Sequence, residues 1–373
     1  MSESLTYQPS ADLPPPRTSV GALGWIRHNL FSSWINAVLT ILAVYLLIIL
    51  VPPLVEWAFL HANFQGKDRT ICDANKDGAC WTFIKVRFLQ IMFGLYYGAN
   101  PDQVWRPVLA FVLLVGFGTP LFIESFPYKR YLGIGLLVVF PFVAFGLIHG
   151  RWFGLPVAET ARWGGFMLTF VLASVGIACA LPIGILLALG RRSRMPVVRS
   201  LSIFYIEFWR GTPLITILFM ASVMLPLFFP AKVEFDKVAR AMIGIALFQS
   251  AYTAEAIRGG LQAMPKGQFE AADAMGLGYW QSMRLIILPQ ALKISIPGIV
   301  NSFIELFKDT SLVAIIGLLD LLNMAQSASR SIEWKGYDLE AYVFAALLYW
   351  ICCYGMSRYS QALERKLDTG HKR

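Results

Sequence analysis

Charge is scarce in this chain of 373 residues: 15% are Asp, Glu, Lys or Arg, against about 25% in ordinary soluble domains. Histidine is scarcer still. His28, His61, His149 and His371 are scattered, which gives no metal-ligand spacing and no converging catalytic set, so no metal is expected. A Gly-x-x-x-x-Gly-Lys-Ser/Thr phosphate loop is absent, which leaves any ATP hydrolysis to another chain. Ten-residue segments of alternating hydrophobicity are also lacking, which excludes a membrane barrel. The N-terminus has no basic start followed by an apolar core and cleavage site, so the first apolar run is expected to stay in place.

What is present is hydrocarbon. Hydrophobic residues make up 57% of the chain and the mean hydropathy is +0.58. Because about 20 apolar residues cross a bilayer core of about 30 Å, apolar runs count spans. Eight stand out, at 34–55, 107–124, 131–149, 166–189, 203–229, 239–258, 294–322 and 341–357. Backbone amides left unpaired in lipid are costly, so the spans are expected to be helices and the fold class all-α.

The net charge of +9 fits basic residues flanking membrane spans rather than nucleic-acid binding. Arg191, Arg192, Arg194 and Arg199, and the tail from Arg358 to Arg373, concentrate positive charge beside helix ends and place both on the cytoplasmic side. The expected topology has both termini inside. Residues 1–33 form a cytoplasmic tail whose first twenty residues, with Pro14, Pro15 and Pro16, are too polar and proline-rich to order themselves. The loop 56–106 falls outside, where Cys72 and Cys80 can form a disulfide. Its short apolar stretch from Phe88 to Tyr97 is expected to lie along the membrane interface, the alternative being a ninth, short membrane segment. Cys179, Cys352 and Cys353 fall in apolar runs and read as packing residues.

The polar connector from Arg258 to Pro289 carries the most information. Gln268 to Met275 favours a helix, Gly276 supplies a left-handed ending, and a second short helix can start near Tyr279 and run to Pro289. Its spacing is Glu270-Ala271-Ala272, three residues, Gly276, nine residues, Ile286, one residue, Leu288-Pro289. This resembles the EAA signature of ATP-binding-cassette (ABC) import permeases. Four further stretches resemble polar-amino-acid permeases: Arg210 to Leu214 (RGTPL), Ala254 to Gln262 (AEAIRGGLQ), Pro265 to Gln268 (PKGQ) and Lys308 to Leu312 (KDTSL). The eight-helix length and the cysteine-containing loop are similar to the M-type permease subunits of general L-amino-acid or glutamate/glutamine/aspartate/asparagine transporters of Gram-negative bacteria.

The resemblance implies a type I permease core of five helices at 161–365, preceded by three additional spans at 34–160 and followed by a cytoplasmic tail at 366–373. It implies that Glu270, Ala271, Ala272, Gly276, Ile286, Leu288 and Pro289 couple the membrane helices to a separate ABC ATPase dimer, which binds ATP and Mg while this chain binds no cofactor. Small Ala271 and Ala272 then allow close approach to that motor, and Glu270 meets a cation at its rim. It also implies a periplasmic amino-acid-binding protein, a polar L-amino-acid substrate, a second related permease in a heterodimer and a place in the bacterial inner membrane, surrounded by lipid.

Ionisable residues within spans are costly and mark pathways or internal partners. Glu305, Lys308 and Asp309 fall within one helical turn; with Asn301, Ser302, Thr310 and Ser311 they form either a substrate pathway or a structural ion network. Glu207 with Arg210, and Glu255 with Arg258, read as structural or gate pairs. An ion-coupled secondary transporter and a polytopic membrane enzyme are the alternatives, but no inverted repeat and no convergent histidines support them.

Overall fold

The computed structural model describes residues 21–123, 126–230 and 236–367. The expected disordered segment 1–20 and the end of the tail, 368–373, lie outside the described residues. The chain divides into two compact units, Met1–Gly66 with Thr70–Trp81, and Lys67–Arg69 with Thr82–Arg373.

The first unit contains α1 (Gly21–Asn29), α2 (Trp34–Val55) and α3 (Thr70–Ala74). Ser33 caps α2 by accepting from the Asn36 amide. No residue of α2 is buried within this chain, the pattern of a helix apolar on all sides and surrounded by lipid. Beyond it, Cys72 and Cys80 are disulfide-bonded with Cα atoms 5.6 Å apart. The enclosed loop is pinned by amide contacts: Asn75 donates to the His61 carbonyl at 2.9 Å, and Asn63 donates to the Asn75 carbonyl at 3.1 Å. The Trp81 indole N–H donates to the Ala58 carbonyl at 2.7 Å.

The second unit begins in earnest with α4 (Trp81–Ala99), followed by α5 (Trp105–Gly118), α6 (Lys129–Val138), α7 (Phe140–His149), α8 (Gly165–Arg191), α9 (Pro196–Gly211) and α10 (Leu214–Val223). Then come α11 (Lys237–Ala263), α12 (Lys266–Ala274), α13 (Tyr279–Ser282), α14 (Leu288–Asp309), α15 (Leu321–Ser329) and α16 (Asp338–Leu367). Each of the eight apolar runs falls largely on helix among the described residues. Among the described residues, six helical stretches are long and apolar enough to cross a membrane, or seven if α9 and α10 count as one span bent by 102°. The count of eight from sequence thus exceeds what apolar length supports. The difference is α11, long enough at 27 residues but carrying Lys237, Arg240, Glu255 and Arg258.

That polarity is tolerated because α11 is the central helix, and many of its residues are buried. Its first half packs with Leu168 and Leu172 of α8, Leu214 and Leu218 of α10, and Leu306 of α14. Its second half packs with Ala188, Ile206, Ile287 and Ile299. Small residues bring the helices close: a Cβ on Gly176 would meet Ile245 and Leu306, and one on Gly184 would meet Thr253.

One expected element is corrected. The run 294–322 is not one helix: α14 ends at Asp309, a 3-10 turn spans Thr310–Ile316, and Gly317 is left-handed. Leu319 and Asp320 then bridge Gly164 and Gly165 as a short extended segment. Asp320 reverses the chain by capping α15 through the Leu322 and Asn323 amides. The stretch Phe88–Tyr97 is packed on one face. It belongs to α4, whose Phe83, Ile84, Ile91, Tyr96 and Tyr97 are buried. A kink at Gly94 (φ 88°) presses bare backbone against Gly164; a Cβ on Gly94 would sit 2.3 Å from that amide nitrogen.

Candidate functional site: the polar connector and the charge cluster beside it

The connector 264–289 is a helix, a corner and a second helix. After α12, Gly276 takes φ 71°; its amide donates to the Asp273 carbonyl at 2.9 Å and the Leu277 amide to the Ala272 carbonyl at 3.2 Å. These close the helix end as glycine endings do. The Gly278 amide donates to Gln281 at 3.2 Å where α13 begins, and helix continues through a π turn at Met283–Ile287 into α14.

The predicted coupling residues divide between two faces. Glu270, Ala271, Gly276 and Pro289 are exposed, together with Met275, Tyr279 and Trp280. Ile286 and Leu288 are half-buried. Ala272 is fully buried, beside the cluster of Leu261, Met264, Met283 and Ile287. The expectation that Ala272 meets a motor domain is therefore corrected: its small side chain lets α12 lie close on its own chain, and Ala271 alone offers close approach outward. Gln290 locks the arrangement by donating to Gln268 at 3.1 Å.

Next to the connector, Arg192 donates to the Leu261 carbonyl at 2.7 Å and stands 5.3 Å over the Phe269 ring of α12. Its neighbour Arg191 was read only as a topology signal, yet it organises the charges. Arg191 reaches Glu207 at 2.8 Å and Glu255 at 3.5 Å. Arg258 grips the other Glu255 oxygen at 2.6 Å, and Arg210 lies 3.8 Å from Glu255. Glu207 and Arg210 therefore do not pair with each other as their spacing suggests. Both join a five-residue cluster uniting the C-terminal parts of α8, α9 and α11. Nothing in the sequence spacing marks Arg191 as a member, because its partners are 16 and 64 residues away.

The candidate pathway residues also separate. Asn301, Glu305 and Lys308 are exposed, four and three residues apart, and so share one face of α14. Asp309 and Ser311 are half-buried. Ser302 is buried, accepting from Gln249 at 3.1 Å and donating to the Ile299 carbonyl. Thr310 is buried and donates to the Phe307 carbonyl at 2.8 Å. Among the described residues no ion pair joins Glu305, Lys308 or Asp309, so their proximity on α14 does not make an internal salt-bridge cluster within this chain.

Three buried charged residues, Asp320, Arg106 and Glu340, escaped the sequence reading. Asp320 accepts from Tyr349 at 2.7 Å as well as from the cap amides; the helix-start pattern Asp320-Leu-Leu-Asn was its available signal. Arg106, fully buried, donates to the carbonyls of Leu147 at 2.7 Å, Pro156 at 3.0 Å and Ile148 at 3.1 Å. No group of three or more His, Cys, Asp or Glu among the described residues is placed to hold a metal.

Residues 180–369 match the family model described as the binding-protein-dependent transport system inner membrane component. The chain belongs to that family. The match contains both the connector and the charge cluster, and with the apolar helices it makes this a multi-pass inner-membrane permease. Over 358 residues the permease is 54% identical to the inner membrane amino-acid ABC transporter permease protein YhdY of Escherichia coli, covering 96% of each chain. It is 40% identical to the glutamate/glutamine/aspartate/asparagine transport system permease protein BztC of Rhodobacter capsulatus, covering 97% of each. The probable amino-acid ABC transporter permease protein YckA of Bacillus subtilis is 36% identical over 203 residues, 54% of this permease and 87% of YckA.

Proposed function

We propose that this permease forms half of the translocation pathway of an ATP-driven importer of polar L-amino acids, paired with a related, non-identical permease and fed by a periplasmic binding protein. The carrying observation is the connector 264–289. Its inner face is locked onto α8, α11 and α14, while Glu270, Ala271, Met275 and Trp280 stand outward. An exposed corner held this firmly transmits displacement as a rigid body. The motor it meets is a separate ATPase dimer carrying ATP and Mg. Both termini lie on the cytoplasmic side, with the connector, and the disulfide-closed loop lies outside, where oxidising conditions sustain the bond.

Within the membrane, Asn301, Glu305 and Lys308 face the pathway. A zwitterionic substrate matches this face, its carboxylate meeting Lys308 and its ammonium Glu305. Asp309 and Ser311 stand at its edge, whereas Ser302 and Thr310 support the helix from behind. The amino-acid cargo is supported by YhdY and BztC, relatives matched over nearly their full length and named as amino-acid permeases.

The test is mild-detergent purification from native membranes, with identification of co-purifying chains and ATP-driven uptake after reconstitution. A cassette ATPase and a second permease are expected; a lone protein transporting without ATP would overturn the reading. Glu270→Lys and Gly276→Asp are expected to insert normally but lose uptake driven by ATP, and unchanged uptake in both removes the coupling role. Lys308→Ala or Asp309→Ala is expected to impair uptake while the complex still co-purifies.

A further inference from the structure

The charge cluster has two unequal halves. Glu255 offers one oxygen to Arg258 at 2.6 Å and 2.8 Å, a short two-pronged contact within α11. Its other oxygen stands between two guanidinium groups at looser distances, Arg191 at 3.5 Å and Arg210 at 3.8 Å. Arg191 is meanwhile held at 2.8 Å by the more exposed Glu207. Two carboxylates thus compete for Arg191 and two arginines for one carboxylate oxygen. The observed arrangement has Arg191 on Glu207 with Arg210 beside Glu255; an exchange within the same set would put Arg191 on Glu255 and release Arg210.

The two competing arginines sit at mechanically distinct places. Arg210 is the penultimate residue of α9, directly before the break at Thr212 and Pro213 where the chain turns by 102° into α10. Arg191 ends α8, and the next residue, Arg192, holds the connector through Leu261 and the Phe269 ring. A displacement of α12 therefore acts on the end of α8 through Arg192, one residue from the side chain that chooses between Glu207 and Glu255.

We propose that Arg191, Arg192 and Glu255 are positioning residues that carry movement of the connector to the bent helix pair α9–α10 by exchange of ion-pair partners. The inference rests on the reading of α12 as the ATPase contact and adds which side chains pass that movement on. It names the two-state element that coupling between two sites requires, and the experiment tests whether it exists.

The experiment uses the assembled transporter in proteoliposomes with its binding protein. It measures uptake of radiolabelled L-glutamate, L-glutamine, L-aspartate and L-asparagine per ATP hydrolysed. Glu255→Gln and Arg192→Ala are each expected to lower that ratio about three- to thirtyfold, the range of measured coupling effects. The double variant should fall no further than the worse single one, because the two act in series. A merely structural role lowers the amount of complex, and uptake and hydrolysis together, without moving the ratio. Unchanged ratios, or multiplicative losses in the double variant, overturn the proposal. Should Glu255→Gln fail to assemble, Arg192→Lys and Phe269→Leu decide: the first keeps charge without the planar stack, the second removes the ring, and wild-type ratios in both remove the joint. Absence of ATP-driven uptake in the unsubstituted transporter would instead sink the importer reading itself.

Discussion

Arginine does opposite work at two places in this molecule. Arg106, between α4 and α7, is fully buried and spends its donors on three backbone carbonyls, with its guanidinium 5.8 Å from the Tyr97 ring centre. Its partners are main-chain atoms at the end of α7 and in the segment that follows, which have no rotamers to exchange. At the charge cluster, Arg191, Arg210 and Arg258 face two carboxylates on flexible side chains, and all five residues keep some contact with solvent. A cation held by fixed dipoles is an anchor; a cation shared between mobile carboxylates can change partner at little cost. The contrast separates what holds this permease together from what lets it move.

The anchor gives the largest expected effect. Arg106→Met fills similar space but takes the side-chain donor from the Leu147 and Pro156 carbonyls, while Ile148 keeps Tyr97, and each orphaned group costs about 1–3 kcal/mol. A loss of about 3 kcal/mol or more is expected in denaturant unfolding in detergent, with uptake per surviving complex unchanged. A variant as stable as the unsubstituted protein would show that Arg106 is not an anchor. Tyr97→Phe tests the same site more gently. The Tyr97 hydroxyl donates to the Ile148 carbonyl at 2.5 Å, and burial pushes its phenol well above the ordinary range, with the Arg106 charge opposing. It therefore remains a donor throughout the physiological range, and its removal is expected to cost about 1 kcal/mol with no dependence on pH between 6 and 9.

The smallest effect belongs to the charge cluster. Glu207 is more than half exposed, so Glu207→Gln should change stability by less than about 1 kcal/mol, as exposed pairs do. The same substitution frees Arg191 for Glu255 and should alter the salt dependence of transport. If Glu207→Gln destabilises as much as Arg106→Met, the distinction between anchor and exchange fails.

The parts legible in sequence were those built from local chemistry. The connector could be read because Gly276 and the helix formers around it act within a few residues, and the apolar runs located every long hydrophobic helix. Long-range partners were not legible. The run from Phe88 to Tyr97 has the composition of an interfacial helix, and its packing on one face against Trp163, Met167 and Ile148 cannot be read from it. Arg106 binds carbonyls, which every residue has and no pattern announces. Arg191 looked like a topology marker because its carboxylates arrive from other helices. The break after Asp309 was missed for another reason: apolar residues run on through the 3-10 turn, and hydropathy does not distinguish a turn packed in protein from a helix in lipid.

The contact of Gly94 with Gly164 also sets where this protein can be shortened. At the entrance to α8 the backbone of Trp163, Gly164 and Gly165 is sealed by α4 on one side and by Leu319 and Asp320 on the other. A chain trimmed to the family-matched region would keep the connector and the charge cluster yet lose both the start of α8 and the α4 cover over that entrance. Restoring residues from 161 would return Gly164 and Gly165 bare, with no Cβ to shield their amides. Helix α4 is thus built into the core it precedes, and a working miniature would have to redesign that glycine pair before discarding it.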